Sequence, residues 1–108
     1  MYAVNDIDKS KLRKLKHNIN IYGKKTLNLK EYALDFLELQ PFETDVMIIC
    51  PPWGGINVAD YAKKDLDSIM CPPLSQILKH AYKFSNNVIL QMPKNTKIEN
   101  LVAILLKS

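Results

Sequence analysis

A chain of 108 residues is one domain at most, and 47% hydrophobic content places it among globular sequences. No apolar run approaches the ~20 residues of a membrane-spanning helix, and the first eight residues lack the basic-then-apolar order of a secretory leader. Fifteen Lys and Arg against eleven Asp and Glu give a net charge of +4, a mild bias toward an anionic partner. Cys50 and Cys71 stand in no metal-type spacing, which argues against a zinc site or disulfide framework and for reduced thiols of the cytosol or nucleus.

Residues 2–5 predict a short strand closed by Asp6-Ile7-Asp8. Asp8 suits the N-cap of a helix over 9–22, with Leu12, Leu15, Ile19 and Tyr22 on one apolar stripe and Gly23 as its C-terminal cap. Lys9, Lys11, Arg13, Lys14 and Lys16, followed by Lys24 and Lys25, form either a solvated face or a groove for RNA. A carboxylate at the end of a strand that feeds a helix is also where Rossmann-type halves hold ribose hydroxyls. Asp6 is the better candidate there, because Asp8 is committed to capping; a plain turn aspartate is the alternative. Residues 26–32 alternate as an edge strand does, and 33–39 read as a short helical turn ended by Pro41. Within that turn Asp35 and Phe36 could meet a purine, or Phe36 could be ordinary core.

Residues 46–50 are continuously apolar, the pattern of a strand buried on both faces. Pro51 and Pro52 stop it by removing two backbone donors. Trp53 and Gly54-Gly55 follow, at the carboxyl edge where ligands bind in open α/β sheets. The indole is placed to stack on a nucleobase, unless it is a core Trp behind a proline turn. Residues 56–73 read as a mobile segment with one helical turn near 65–70, whose Tyr61 could reach a ligand held by Trp53. Pro73 opens a helix to about residue 84, with Leu74, Ile77, Leu78, Ala81 and Tyr82 on its buried side. A second buried strand over 88–92 ends at Pro93-Lys94-Asn95, and residues 98–106 form a final helix. Strands alternating with helices predict an α/β fold with a parallel sheet.

Several stretches together resemble the trimethylguanosine synthases, the S-adenosylmethionine-dependent RNA cap guanine-N2 methyltransferases. They are Ala3-Val4-Asn5-Asp6-Ile7-Asp8 with Asn18 and Tyr22-Gly23, then Asp35-Phe36-Leu37, Pro51-Pro52-Trp53-Gly54-Gly55, and Met92-Pro93-Lys94-Asn95. The resemblance spans nearly the whole chain, and the Pro-Pro-Trp-Gly-Gly run is its most specific part. It implies a Rossmann-like fold with S-adenosyl-L-methionine as cofactor, no metal, and m7G-capped small nuclear or nucleolar RNA as substrate. The implied location is the nucleus (nucleolus or Cajal-body-like), with the cytoplasm second.

By that resemblance Asp6 holds the cofactor ribose, and Asp35 with Phe36 meets its adenine. Cys50, Pro51 and Pro52 form the catalytic loop for the target amino group, with Cys50 where the family commonly has serine. Trp53 stacks on the methylated guanine, and Tyr61 and Lys94 lie near the cap phosphates. The spacing from Gly55 to Tyr61 is longer than the family's. The family's first strand with its glycine-rich loop, and its closing strands, are not represented; the only glycines are 23, 54 and 55. The expectation is therefore a single partial methyltransferase domain over 1–108, lacking the central first strand and the C-terminal strands, whose neighbours expose unpaired edges and uncovered apolar faces. A non-catalytic cap- or RNA-binding remnant, and a methyltransferase for another planar amine or amide, are the alternatives.

Overall fold

Two parallel strand pairs, each joined through helices, make up the computed structural model, which describes residues 2–23, 29–51 and 65–107. The chain divides into two units, Met1–Gln40 and Pro41–Ser108. In the first, β1 (Tyr2–Asn5) leads into α1 (Lys9–Ile21) and then β2 (Leu29–Tyr32). β1 and β2 pair in parallel, Tyr2 opposite Leu29 and Asn5 opposite Tyr32. A parallel pair cannot be closed by a hairpin, which is why a helix intervenes. Asp8 caps α1 as its sequence position predicts, its carboxylate accepting from the Ser10 amide at 2.9 Å and the Ser10 hydroxyl at 2.7 Å. Gly23 ends the helix at φ +73°, a left-handed conformation that costs glycine little. Leu12 is buried and Leu15 and Ile19 half-buried, so the apolar stripe faces inward over these three residues, whereas Tyr22, expected on it, lies past the end of the helix and is exposed. A 3-10 turn, Phe36–Glu38, follows β2; of the strand expected over 26–32, residues 26–28 lie outside the described set.

In the second unit β3 (Met47–Ile49) pairs in parallel with β4 (Val88–Leu90), Ile48 opposite Ile89. Between them run α2 (Leu66–Ile69) and α3 (Leu74–Ala81), and α4 (Ile98–Lys107) follows β4. The core is Leu66, Met70, Leu74, Ile77, Leu78, Ala81, Phe84 and Ile104 with Ile49 of β3. Phe84 sits at its centre, with the rings of Phe42 and His80 edge-on at 5.1 and 5.2 Å. The register of β3 on β4 is set just ahead of both strands. The Asp45 carbonyl accepts from the Ser85 hydroxyl and the Asn87 side chain, both at 3.0 Å, and the Met47 amide donates to the Asn87 carbonyl at 2.9 Å.

One expectation fails here. The strands over 46–50 and 88–92 are shorter than predicted and are not buried on both faces: Ile49 is covered, whereas Ile48 is 67% and Ile89 56% exposed. Hydrophobicity in a short run registers an apolar strand but not whether a second layer lies over it.

Candidate functional site

Of the residues singled out from sequence, Asp6, Asp35 and Phe36 in the first unit and Cys50, Pro51 and Lys94 in the second lie beyond the carboxyl ends of a parallel strand pair. Asp6 follows the last residue of β1, its amide donating to the Tyr32 carbonyl at the end of β2 at 3.1 Å. Its Oδ1 accepts from the Asp8 amide at 2.9 Å. The turn reading of Asp6 is therefore correct as far as it goes. The carboxylate makes no second hydrogen bond among the described residues, and its half-buried position leaves most of its acceptor sites for a ligand.

Asp35 and Phe36 are brought to the same edge by a contact the sequence reading missed. The Asn5 side chain clamps the Leu34 backbone at two points, its Nδ2 donating to the Leu34 carbonyl and its Oδ1 accepting from the Leu34 amide, both at 3.1 Å. Asn5 neighbours Asp6 and Leu34 neighbours Asp35, so the clamp ties the two carboxylate-bearing turns together. Asp35 is itself an N-cap, its Oδ1 accepting from the Leu37 amide at 3.0 Å. It is exposed, while Phe36 is half-buried at the start of the 3-10 turn. A carboxylate edge with acceptors at Asp6 and Asp35 and an aromatic face at Phe36 is chemically suited to a nucleoside: hydroxyls and an exocyclic amine to donate, a flat ring to pack.

Asp8 stands apart from these. The hydrogen bonds from the Ser10 hydroxyl and amide hold its carboxyl below the ordinary range, which keeps it ionised in its capping role.

At the other strand pair Cys50 and Pro51 leave β3 beside the end of β4. The Cys50 thiol donates to Gln91 Oε1 at 3.0 Å, and the Gln91 amide donates to the Ile49 carbonyl at 2.9 Å, so the Cys50 side chain is tied across the strand ends. Pro51 is buried. Lys94 stands exposed in a turn beyond β4 that is closed by the Thr96 hydroxyl and amide, which reach the Pro93 carbonyl at 2.6 and 3.0 Å. No acid pairs with Lys94 among the described residues. Pro52, Trp53, Gly54, Gly55 and Tyr61 lie outside the described residues. No group of three His, Cys, Asp or Glu suited to a metal exists among the described residues, and no helix among them is long and apolar enough to cross a membrane.

Comparison with known proteins gives the chain a family. The trimethylguanosine synthase of Schizosaccharomyces pombe (strain 972 / ATCC 24843) is 27% identical over 104 residues, covering 91% of this chain. The chain spans 44% of that relative's length. The model of a family described as RNA cap guanine-N2 methyltransferase matches residues 1–107. The chain belongs to the RNA cap guanine-N2 methyltransferase family.

Proposed function

We propose that the protein acts in S-adenosylmethionine-dependent methylation of the N2 amino group of the m7G cap on small nuclear or nucleolar RNA. The observation that carries this reading is the Asn5–Leu34 clamp, which sets Asp6 and Asp35 at one sheet edge in a chain of this family. S-adenosylmethionine, when bound, supplies an electrophilic methyl group on a sulfonium. Asp6 accepts hydrogen bonds from the cofactor's ribose hydroxyls, and Asp35 with Phe36 receives the adenine. Cys50, Pro51 and Pro52 shape the pocket for the guanine amine, Cys50 held in place by Gln91. Trp53 stacks on the guanine, whose N7 methylation makes it cationic and adds a cation–π gain of ~0.5–2 kcal/mol. Tyr61 and Lys94 meet the cap phosphates, Lys94 as a point charge. No strong base is required: the amine needs alignment and desolvation, and its proton leaves to solvent during or after transfer. Nuclear location follows from the same reading.

The uncovered Ile48–Ile89 pair supports a second element of the proposal, that this single partial domain works with further strands of a larger methyltransferase sheet. A parallel sheet ordinarily has both faces covered. The alternative reading is a non-catalytic cap-binding remnant. The decisive experiment supplies the purified chain with m7G-capped RNA and methyl-labelled S-adenosylmethionine. Label in the N2 position supports the enzyme reading. Cap-analogue binding without cofactor binding or transfer assigns the remnant, and binding of neither removes both.

A further inference from the structure

The cofactor edge accounts for β1 and the turns after β1 and β2, but not for the outer face of α1. That helix carries Lys9, Lys11, Arg13, Lys14 and Lys16, all exposed, and no acidic residue. Its only ion pair among the described residues is Lys16 with Glu31 at 3.8 Å. The arrangement opposes helix stability. Lys9 and Arg13 are four residues apart, and Arg13 and Lys16, like Lys11 and Lys14, are three apart, so like charges face one another along the surface. Lys9 and Lys11 also sit in the first turn, at the positive end of the helix dipole, where acids stabilise and cations do not. The one acid at that end, Asp8, is the N-cap and precedes the helix. A polyanion lying across the face adds attractions that offset these repulsions.

The shape agrees. Two shallow clefts flank Arg13: Lys9, Leu12, Lys16, Glu31 and Ala33 complete one, and Ser10, Lys14, His17 and Asn18 the other. The cations of Lys9, Arg13 and Lys14 lie within about 8 Å of helix axis, with the polar side chains of Ser10, His17 and Asn18 beside them. Leu12, which a membrane-surface helix would insert, is buried instead.

We propose that the basic face of α1 binds the phosphate backbone of single-stranded RNA, the transcript body behind the cap, through Lys9, Arg13 and Lys14. The choice of RNA as the polyanion rests on the proposed function; the binding face does not. The test is fluorescence anisotropy of the whole chain with an uncapped 15-nucleotide single strand across a salt series. Lys9→Gln/Arg13→Gln/Lys14→Gln should weaken binding at least tenfold near 0.1 M salt and reduce the slope of log K against log salt by about 2, since each phosphate contact on a single strand contributes about 0.7. Gln is as good a helix former as Lys, and unchanged circular dichroism confirms that α1 persists. Lys9→Arg/Lys14→Arg should retain affinity, and Lys79→Gln/Lys83→Gln/Lys107→Gln, with the same loss of net charge, should change it less than twofold.

Equal losses in the two triple-Gln variants would overturn the proposal. So would an unchanged slope, or binding to phosphatidylserine vesicles or an acidic peptide as tight as to RNA and equally lost in the α1 variant. Affinity for the cap nucleotide m7GTP should be the same in the α1 variant and the parent. A parent that binds RNA through α1 but not m7GTP would reject the cap reading and leave this one standing.

Discussion

Among the described residues, the first unit buries two aliphatic side chains, Leu12 and Leu39, whereas the second buries Ile49, Leu66, Met70, Leu74, Ile77, Leu78, Ala81, Phe84 and Ile104. What the first unit has instead is a set of directed polar contacts: Asn5 on Leu34, Asp6 on Asp8, Asp8 on Ser10, Asp35 on Leu37. Apolar burial is strong and indifferent to direction, while hydrogen bonds contribute little net stability each but fix orientation. The second unit thus combines apolar cohesion with directed contacts such as Ser85 and Asn87 on Asp45, whereas the first relies mainly on directed contacts. The nucleoside-binding edge proposed above needs directed contacts, because its carboxylates must be aimed.

The contrast can be broken most severely at Phe84. Truncation to alanine should cost about 3–5 kcal/mol, because the ring is fully enclosed and carries the Phe42 and His80 edge contacts. Chemical denaturation of the parent and Phe84→Ala reads this directly; a loss near 1 kcal/mol would show that cohesion lies elsewhere. In the first unit the corresponding lesion is Asn5→Ala. It removes two exposed hydrogen bonds and should cost about 1–2 kcal/mol, seen as faster amide exchange at Leu34 and weaker cofactor binding. Unchanged exchange at Leu34 would deny the clamp its positioning role.

The pH response sharpens the comparison further. The Asp8 carboxyl is held below its unfolded value by Ser10, so its capping contribution is complete above the ordinary carboxylate range and is lost as pH falls through and below it. Helicity at 222 nm should therefore drop between about pH 5 and pH 2 in the parent. Asp8→Asn, which keeps a neutral cap, should flatten the part of that drop due to α1. An identical pH profile for the two would contradict the assignment. The smallest effect belongs to Ile48→Ser. An exposed side chain changes stability by less than about 0.5 kcal/mol, and light scattering at high concentration should fall as the open apolar pair is broken.

How much of this was legible beforehand depended on whether the signal was local. The cap at Asp8, the stop at Gly23 and most of the apolar faces of α1 and α3 lie within a few residues of their cause and appear as predicted, whereas Tyr22 and Tyr82, just past the ends of those helices, are exposed. Burial of both faces of the strand near residue 48 was expected and is not found, because covering an apolar strand depends on another layer that the strand itself does not encode. The Asn5 clamp escaped notice since its partner lies 29 residues away and asparagine after a strand is usually only a turn residue. The central place of Phe84 was hidden for a similar reason: it follows the α3 stripe in a turn, and only the fold brings Phe42 and His80 onto it. For the site, Asp6, Asp35, Phe36, Cys50, Pro51 and Lys94 all fall at carboxyl edges of parallel pairs, and their proposed roles await ligands.

Calorimetric titration of S-adenosylmethionine into the parent and Asp6→Asn tests the central claim most directly. Asparagine keeps an oxygen for the Asp8 amide, so the turn survives, but it loses the charge and replaces one carboxylate oxygen with a donor. Binding by the parent, weakened about tenfold or more in the variant as expected for losing a charge-assisted hydrogen bond, is the predicted result. Equal affinity in the two proteins would remove the cofactor from this edge.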